Sequence, residues 1–494
     1  MERQIRQLAA ALGLLFVVLL AQVTHIQVIA ADRLADNPAN AARQLIAEYQ
    51  VDRGDILAAD ARTVLATSRR SRGELRYERH YPLGALTAHL TGYYSLVYGR
   101  SELEAAYDDF LSGDAPQLLP QTLADMVLGR PRRGASIVTT IDPAVQRAAA
   151  EALGGLPGGV AAIDPRTGDV LALVANPSYD PNPLSSHDPD EIRRAWEALL
   201  ADPEKPLISR ASDELYPPGS TFKIVVAAAA LAAGFGPESR WPNPHVLELP
   251  DTTETLENFG GVTCSGGAEI TLADALRQSC NVVFGEIGLA LGPERLALQA
   301  RLFGFAPSAD AGAIPSDIPM QEGVFPDPAY FETRRPAVAL SAIGQDDVAT
   351  NPLHMALVAG AIANGGVLMR PRLVTEVRGP DGRVVETFEP EPISRPMDEM
   401  DAALLTAMMV DVVERGTGTA ARIPGVRVAG KTGTAQHGVG RPPHAWFVAF
   451  APAEDPRVAV AVIVLDGGSL GSDATGGRLA APIARAVIEA ALRR

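Results

Sequence analysis

Apolar runs near both ends of the chain predict strands of an antiparallel sheet. Residues 159–163 and 169–174 are two such runs around Asp164-Pro-Arg-Thr-Gly168, whose Pro and Gly suit a tight turn, so they predict a hairpin. Near the other end, three more runs are joined by short turns containing Gly or Pro. They predict an antiparallel meander and a terminal helix, with strands at 425–429, 444–450 and 457–465 and the helix from about 480 to 492.

The region between these strand groups is predominantly helical in pattern. Helices are predicted at 224–233, ended by Gly234, at 271–279, and at 353–364, ended by Gly365-Gly366. Strands from both chain ends with a helical subdomain between them predict an α+β fold. Residues 176–189 are rich in proline and predict a loop.

The first 150 residues predict a membrane anchor and a separate domain. No Asp, Glu, Lys or Arg occurs from Leu8 to Ala31, which is long enough to cross a bilayer, and Arg3 and Arg6 place the amino terminus in the cytoplasm. The predicted organisation is a cytoplasmic tail at 1–7, a transmembrane anchor at 8–31, a mixed pedestal domain at 32–150 and a catalytic domain at 151–494. Within the pedestal, short strands are predicted at 55–57 and 63–66, and a helix near 102–111.

A cleaved signal peptide is the alternative to the anchor. Residues 28–30 form a weak small-x-small cleavage sequence before Ala31. The apolar segment exceeds the roughly 7–15 residues of a signal h-region, which favours an uncleaved anchor. The rest of the chain is exported in either case.

Composition excludes several classes of function. A net charge of −16 and the absence of any Lys/Arg run argue against nucleic-acid binding. The sequence has no CxxC, no HExxH and no His cluster at ligand spacing, so neither a metal site nor a cofactor is predicted. For Cys264 and Cys280, a disulfide and two buried thiols are equally open, because spacing alone does not show that their Cα atoms come within reach.

Lysine is rare in this chain, which draws attention to where it occurs. Of 43 basic residues only Lys205, Lys223 and Lys431 are lysines. Arginine keeps its proton in proteins, whereas a buried lysine can lose it. Ser220 and Lys223 lie three residues apart at the predicted start of a helix, so they share a helix face, and a neutral lysine there could take the serine proton. The alternative is an ordinary serine N-cap followed by a surface lysine.

Two further short motifs carry hydroxyl, amide and amine groups. Lys431-Thr432-Gly433-Thr434 lies on or at the end of a predicted strand, where Gly433 would let another backbone approach closely. Ser279-Cys280-Asn281 ends a predicted helix. Each motif is weak alone. A lysine-glycine hairpin end is the favoured explanation of the first taken by itself, and chance SxN sequences are expected about once in a chain of this size.

The ordered set SxxK, SxN and KTG resembles the penicillin-recognising serine acyltransferases. Other stretches are similar to class B penicillin-binding proteins, especially the penicillin-binding protein A type of actinobacteria. They are Arg53-Gly54-Asp55-Ile56, Thr140-Ile141-Asp142-Pro143 with Gln146, Asp180-Pro181-Asn182, Gly344-Gln345, Asn364-Gly365-Gly366 and His444-Ala445-Trp446-Phe447. Two positions are less regular: Cys280 inside SxN, and Asp346 where many relatives have glycine.

The resemblance implies a penicillin-binding transpeptidase fold and a role for each motif residue. Ser220 would be the acylated nucleophile and Lys223 its base, with Ser279 and Asn281 completing the proton relay and binding the donor amide. Lys431 would keep the relay electrostatically poised. Substrate would lie along Thr432, Gly433 and Thr434, with the two threonines holding its terminal carboxylate, and the backbone N–H groups of Ser220 and Thr434 would form the oxyanion hole.

The implied activity is a membrane-anchored D,D-transpeptidase that cross-links peptidoglycan stem peptides and is acylated by β-lactams. The resemblance also implies a glycan polymerase of the SEDS family as a partner, in contact with the anchor and pedestal. A serine β-lactamase and a D,D-carboxypeptidase share the same three motifs and stay open as alternatives. A fourth hypothesis makes the protein chiefly a scaffold in a wall-synthesis complex.

Overall fold

The computed structural model describes residues 2–30, 45–308, 314–438 and 440–493. An α-helix at Glu2–Thr24 continues into a π-helical turn at His25–Ile29, and its apolar side chains are exposed. Within the described ranges, it is the only helix long and apolar enough to cross a bilayer, as a single-pass anchor requires. The end of the predicted anchor, Ala31, and the predicted first part of the pedestal, 32–44, lie outside the described residues.

The central sheet unites strands from both ends of the catalytic region, as the apolar pattern predicts. Its five strands are all antiparallel. In sheet order they are Ala429–Ala435, His444–Ala451, Val458–Val464, Gly158–Ile163 and Val170–Asn176. The predicted α+β arrangement is therefore confirmed.

Both faces of this sheet are buried, which explains why its strands are apolar without alternation. Along Val458–Val464, the four valines enter one core cluster, and the intervening Ala459, Ala461 and Ile463 enter the other. Helices Pro143–Leu153 and Ala480–Ala491 cover the first face. Helices Pro352–Ala363 and Glu399–Arg415 pack on the second face, and Lys223–Ala232 lies in the same core.

One predicted strand is wrong. Of the segment 425–429, only Ala429 belongs to a strand, because Ile423 and Val426 pair across a tight turn in which Gly425 has φ +77°. The strand instead begins at Ala429 and runs through the KTG motif to Ala435.

The helical region also differs from prediction in its details. The helices predicted at 224–233, 271–279 and 353–364 are present as Lys223–Ala232, Leu272–Gln278 and Pro352–Ala363. The predicted loop at 176–189 contains a short 3-10 turn, Asn182–Ser185. Remaining helices of this region are Pro189–Ala201, Asn281–Leu291, Pro293–Leu302, Pro328–Phe331 and Arg335–Ser341. Short paired strands missed by the pattern are Arg240–Pro242 with Glu269–Thr271, Val246–Glu248 with Thr255–Glu257, and Leu368–Met369 with Pro392–Ser394.

A second sheet forms the pedestal and takes strands from a distant part of the sequence. Its order is Val384–Thr387, Val374–Arg378, Ser136–Thr139, Ile56–Leu57, Val64–Arg70 and Tyr77–His80. Two of these strands come from beyond residue 370, so the sheet crosses the predicted domain boundary at 150, and that boundary stays a prediction. Short helices Ala88–Thr91, Glu102–Ala106, Asp108–Ser112 and Leu119–Val127 and a two-stranded ribbon of Tyr94–Ser95 with Gly99–Arg100 complete this region.

A buried ion cluster ties the pedestal strands to its helices. The carboxylate of Glu104 accepts hydrogen bonds from Arg53 Nε at 2.7 Å and from Arg79 Nε at 2.5 Å, and all three side chains are buried. Burial alone would raise the pKa of Glu104, but the charges of Arg79 and Arg53 outweigh it and lower that pKa. Removing one partner would leave buried charge uncompensated, so the cluster constrains how the pedestal folds.

Candidate active site

Ser220 lies on a tight turn that enters a buried helix. Gly219–Phe222 is a 3-10 turn, and the helix Lys223–Ala232 follows it directly. Three hydrogen bonds hold the turn: Trp446 Nε1 to Pro217 O at 2.9 Å, Thr221 Oγ1 to Pro218 O at 2.8 Å, and Gly219 N to Gly344 O at 2.9 Å. The turn therefore leaves Ser220 partly exposed on a fixed backbone.

Two glycines allow the turn to lie against its neighbours. A Cβ at Gly433 would stand 2.9 Å from both Pro218 O and the Thr221 methyl group. A Cβ at Gly344, whose φ is +71°, would stand 2.2 Å from Gly219 O. Any side chain at either position would push the Ser220 turn away from the KTG strand or from Gly344. The expected close backbone approach at Gly433 is thus present in the structure.

Lys223 is fully buried beneath this turn with two acceptors around its amine. Its Nζ donates to Ser279 O and to Asn281 Oδ1, each at 2.8 Å. Burial lowers the pKa of Lys223 well below its usual 10.5, and the nearby charge of Lys431 lowers it further. A neutral lysine amine has two N–H donors and one lone pair, so these two bonds use both donors and leave the lone pair available.

No hydrogen bond within 3.5 Å joins Ser220 to Lys223 in the described part of the chain. The two residues are three apart across the start of one helix, which brings their side chains to the same side. Catalytic hydrogen bonds are often long without substrate and tighten when substrate binds. The observed arrangement is thus compatible with proton transfer from Ser220 to Lys223.

Lys431 is the second buried lysine, and it points at the SxN motif. Its Nζ donates to Ser279 Oγ at 2.8 Å and to Thr432 O at 2.9 Å. Burial lowers the pKa of Lys431 to about 7. Ser279 therefore links the two lysines: its carbonyl accepts from Lys223, and its hydroxyl accepts from Lys431.

The SxN motif is placed by a sharp change of backbone direction. The helix Leu272–Gln278 ends, Ser279 takes a left-handed conformation with φ 61° and ψ 41°, and the next helix begins at Asn281. Asn281 Nδ2 donates to Glu257 O at 3.0 Å.

Cys264 and Cys280 form a disulfide, with their Cα atoms 6.2 Å apart. The sequence leaves a disulfide and two buried thiols equally open, and the structure shows the disulfide. The disulfide ties this motif to the loop that follows Glu257.

Ser220, Asn281 and Thr434 open into one cleft with a volume of about 790 Å³. Thr432 lies differently from Thr434: it is buried, and its hydroxyl shares a hydrogen bond with the Thr417 hydroxyl at 2.6 Å. Only Thr434 of the two predicted carboxylate-binding threonines lines the cleft directly. The Thr432 hydroxyl is thus engaged by Thr417, and neither residue lines the cleft.

Sequence reasoning missed several residues that line the cleft. Arg441 supplies a cation, Ser472 a hydroxyl, and the 255–261 segment forms a wall that includes Phe259. None of these residues belongs to a short motif, and no periodicity signals them. Asp346, noted from sequence as an irregularity, is also at the rim, with φ +62° and its carboxylate accepting from the Tyr330 hydroxyl at 2.9 Å.

His437, His444 and Asp466 form a nearby group that the sequence did not indicate, with potential ligand atoms within 4.8 Å of one another. The imidazole rings stack at 3.7 Å and 7°, so their nitrogen lone pairs run side by side rather than converge on one point. His437 Nε2 lies 2.9 Å from Asp466 Oδ1, and His444 Nδ1 accepts from Asp466 N at 3.1 Å. These contacts already engage the group internally, which does not favour metal ligation.

Comparison with known proteins agrees with this geometry. Residues 158–489 match the family described as the penicillin binding protein transpeptidase domain, and residues 53–137 match the penicillin binding protein A dimerisation domain. The chain is 46% identical to the peptidoglycan D,D-transpeptidase PbpA of Mycolicibacterium smegmatis over 100% of this chain and 99% of the relative. It is 42% identical to PbpA of Mycobacterium tuberculosis over the same shares.

Solved structures show the same similarity. Penicillin-binding protein A of M. tuberculosis, determined as its ceftriaxone acyl-enzyme, superposes with a TM-score of 0.85 at 42% identity, covering 90% of this chain and 100% of that chain. Its penicillin G acyl-enzyme gives a TM-score of 0.83 with the same coverage. On the full-length identity and the matched transpeptidase domain, this chain belongs to the PbpA family of class B penicillin-binding proteins, which are peptidoglycan D,D-transpeptidases.

Proposed function

We propose that Ser220 is the acylated nucleophile of this D,D-transpeptidase and that neutral Lys223 is the base that activates it. The single observation that carries this assignment is the environment of the Lys223 amine. Both of its N–H donors are engaged by Ser279 and Asn281, and burial disfavours its charged form. A lysine held in this way keeps a lone pair for the serine proton.

In the acylation step, Ser220 Oγ attacks the carbonyl carbon of the D-Ala-D-Ala peptide bond, and its proton passes to Lys223 Nζ. Negative charge develops on the carbonyl oxygen, where the backbone N–H groups of Ser220 and Thr434 would donate hydrogen bonds. The position of both residues on the same cleft supports this role. Thr434, which lines the cleft, would bind the terminal carboxylate together with Thr432, two residues before it on the same strand.

The leaving D-Ala amine needs a proton as its C–N bond breaks. Ser279 would supply it through its hydroxyl and recover one from Lys431, whose amine donates to that hydroxyl at 2.8 Å. Asn281 would orient the donor amide. An amine from a second stem peptide then attacks the acyl carbon and forms the cross-link, its proton passing through Ser279 back to Lys431. As the ester C–O bond breaks, Lys223 returns its proton to Ser220 Oγ. β-Lactams enter the same acylation step and remain on Ser220.

The N-terminal helix bears on where this reaction takes place. Arg3 and Arg6 precede the apolar segment, so we propose a cytoplasmic amino terminus with the catalytic domain on the outer side of the membrane. We also propose contact with a SEDS-family glycan polymerase through the anchor and pedestal, on the resemblance to class B penicillin-binding proteins.

Replacing residues 1–50 with an unrelated single-span anchor should abolish co-purification with the polymerase, because the proposed contact would be lost while membrane attachment is kept. Pull-down from cell membranes measures this. Undiminished co-purification would contradict a contact through the anchor segment.

Ser220→Ala should abolish formation of a covalent penicillin G adduct, because alanine has no hydroxyl to attack the lactam carbonyl. Intact-mass spectrometry of the full chain measures the adduct. Ser472→Ala is the matched control, since Ser472 lines the same cleft, and it should form the adduct as wild type does. An adduct that persists on Ser220→Ala would contradict the assignment, and rapid turnover of the lactam by wild type would favour a β-lactamase.

Lys223→Arg should slow acylation by penicillin G by about 10²–10⁴-fold, because a guanidinium stays protonated and cannot act as the base. Lys205→Arg, at an exposed lysine, should leave the rate unchanged.

The wild-type rate of acylation should fall as pH drops through the lowered pKa of Lys223, since the amine is then protonated. Stopped-flow acylation between acidic and neutral pH measures both effects, and thermal unfolding confirms that each variant is folded. Acylation by Lys223→Arg at the wild-type rate would exclude this role for Lys223.

A further inference from the structure

One pedestal helix presents its apolar side to solvent. In the helix Leu119–Val127, which we call the outward helix, four side chains on one face are largely exposed. The exposed fractions are 56% for Leu119, 53% for Leu123, 70% for Met126 and 87% for Val127. Leu128, directly after the helix, is also 61% exposed.

The opposite side of the outward helix is polar and faces the protein. Asp125 is only 9% exposed, and Thr122 Oγ1 donates to Leu118 O at 3.1 Å. Gln121, Thr122 and Asp125 line a cavity of about 150 Å³ together with Pro380 and with Met126 from the edge of the apolar face. A surface helix of a soluble domain normally turns its apolar stripe inward, so this helix is amphipathic in the inverse sense. A contiguous apolar patch of this kind marks an interaction surface.

Basic residues follow the apolar patch at once. Arg130, Arg132 and Arg133 are exposed and lie within four residues, in a chain whose net charge is −16. Arg130 Nη1 is 3.6 Å from Asp125 Oδ1, and Arg132 pairs with Asp114, so part of this charge is balanced locally. All three arginines line the same cavity as Gln121 and Asp125, so they lie beside the polar side of the helix. An apolar face opposite a basic one is the pattern of helices that lie in the membrane interface, where they contact acyl chains and anionic headgroups.

The same surface adjoins the point where the chain enters the pedestal from the anchor. Arg132 and Asp114 line one groove with Ala47 and Glu48, and Gly134 N donates to Asp52 O at 2.9 Å. Only residues 31–44 separate the helical anchor segment from the described pedestal. Fourteen residues span at most about 50 Å even when fully extended. The outward helix is therefore within reach of the bilayer that holds the anchor.

We propose that the outward helix lies in the membrane interface, with its apolar face at the acyl-chain boundary and Arg130, Arg132 and Arg133 near anionic headgroups. The contact gives the pedestal a second attachment to the bilayer beside the anchor. A single tether leaves the pedestal free to rotate about its axis, whereas two attachments fix its orientation and hence the direction in which the Ser220 cleft faces. The proposal does not depend on the catalytic roles assigned above.

The full chain allows a site-specific test, because its two cysteines form a disulfide and an introduced cysteine is the one reactive thiol. Leu123→Cys carries an environment-sensitive fluorophore, and the protein is placed at one chain per nanodisc in anionic bilayers containing brominated lipid. Leu200→Cys is the matched control, because Leu200 is a similarly exposed leucine, 63%, on the helix Pro189–Ala201. Bromine quenching of the label at 123 should be roughly twofold or more stronger than at 200, with a blue-shifted emission.

Substituting the arginines tests the charged part of the contact. Arg130→Gln combined with Arg133→Gln should reduce quenching at 123 in anionic bilayers and leave it nearly unchanged in neutral ones. Equal quenching at 123 and 200 would overturn the proposal. A blue shift at 123 that appears only with two chains per disc would assign the surface to a second copy. A blue shift that requires an added wall-synthesis protein would assign it to that partner instead.

Discussion

The burial of the Lys223 amine is the constraint on which the site depends. An isolated charge at this depth would be strongly disfavoured, and a neutral amine still needs partners for its two N–H groups. Ser279 O and Asn281 Oδ1 supply both. Lys431, buried nearby, disfavours a second positive charge and so reinforces the neutral form of Lys223. The property needed for base catalysis thus follows from burial together with satisfied hydrogen bonding.

Meeting that constraint requires three segments that are distant in sequence. The Ser220 turn, the Ser279–Asn281 bend and the KTG strand meet only because Gly433 and Gly344 carry no side chains and because Ser279 adopts a left-handed backbone. The Cys264–Cys280 disulfide holds the bend against the cleft wall. The central sheet, buried on both faces, gives the KTG strand a rigid support, which suits a site that must hold its donors in place before substrate arrives.

Much of this arrangement could be predicted from sequence, since local signals agree with the fold there. The strands near 160, 445 and 460 are continuous apolar runs, and the helix after Ser220 follows Pro-Pro-Gly. Prediction failed where remote pairing decides the outcome. The strand containing Lys431 starts at Ala429 because it pairs with His444–Ala451, and no local pattern records that register. The strands Val374–Arg378 and Val384–Thr387 join the pedestal sheet for the same reason. Arg441 and Ser472 reach the cleft through tertiary packing alone, and the Thr432–Thr417 contact joins residues that share no motif.

The scarcity of lysine makes the central claim directly measurable. In the full chain with lysine labelled at ¹³Cε and ¹⁵Nζ, NMR should show three side-chain signals, and arginine substitution at each position assigns them. On titration, the account predicts that the Lys223 signal changes charge well below pH 10.5 and that the Lys431 signal does so near pH 7. A Lys223 amine that titrates at its usual value of 10.5 would be charged at neutral pH, and this result would contradict its assignment as the base for Ser220.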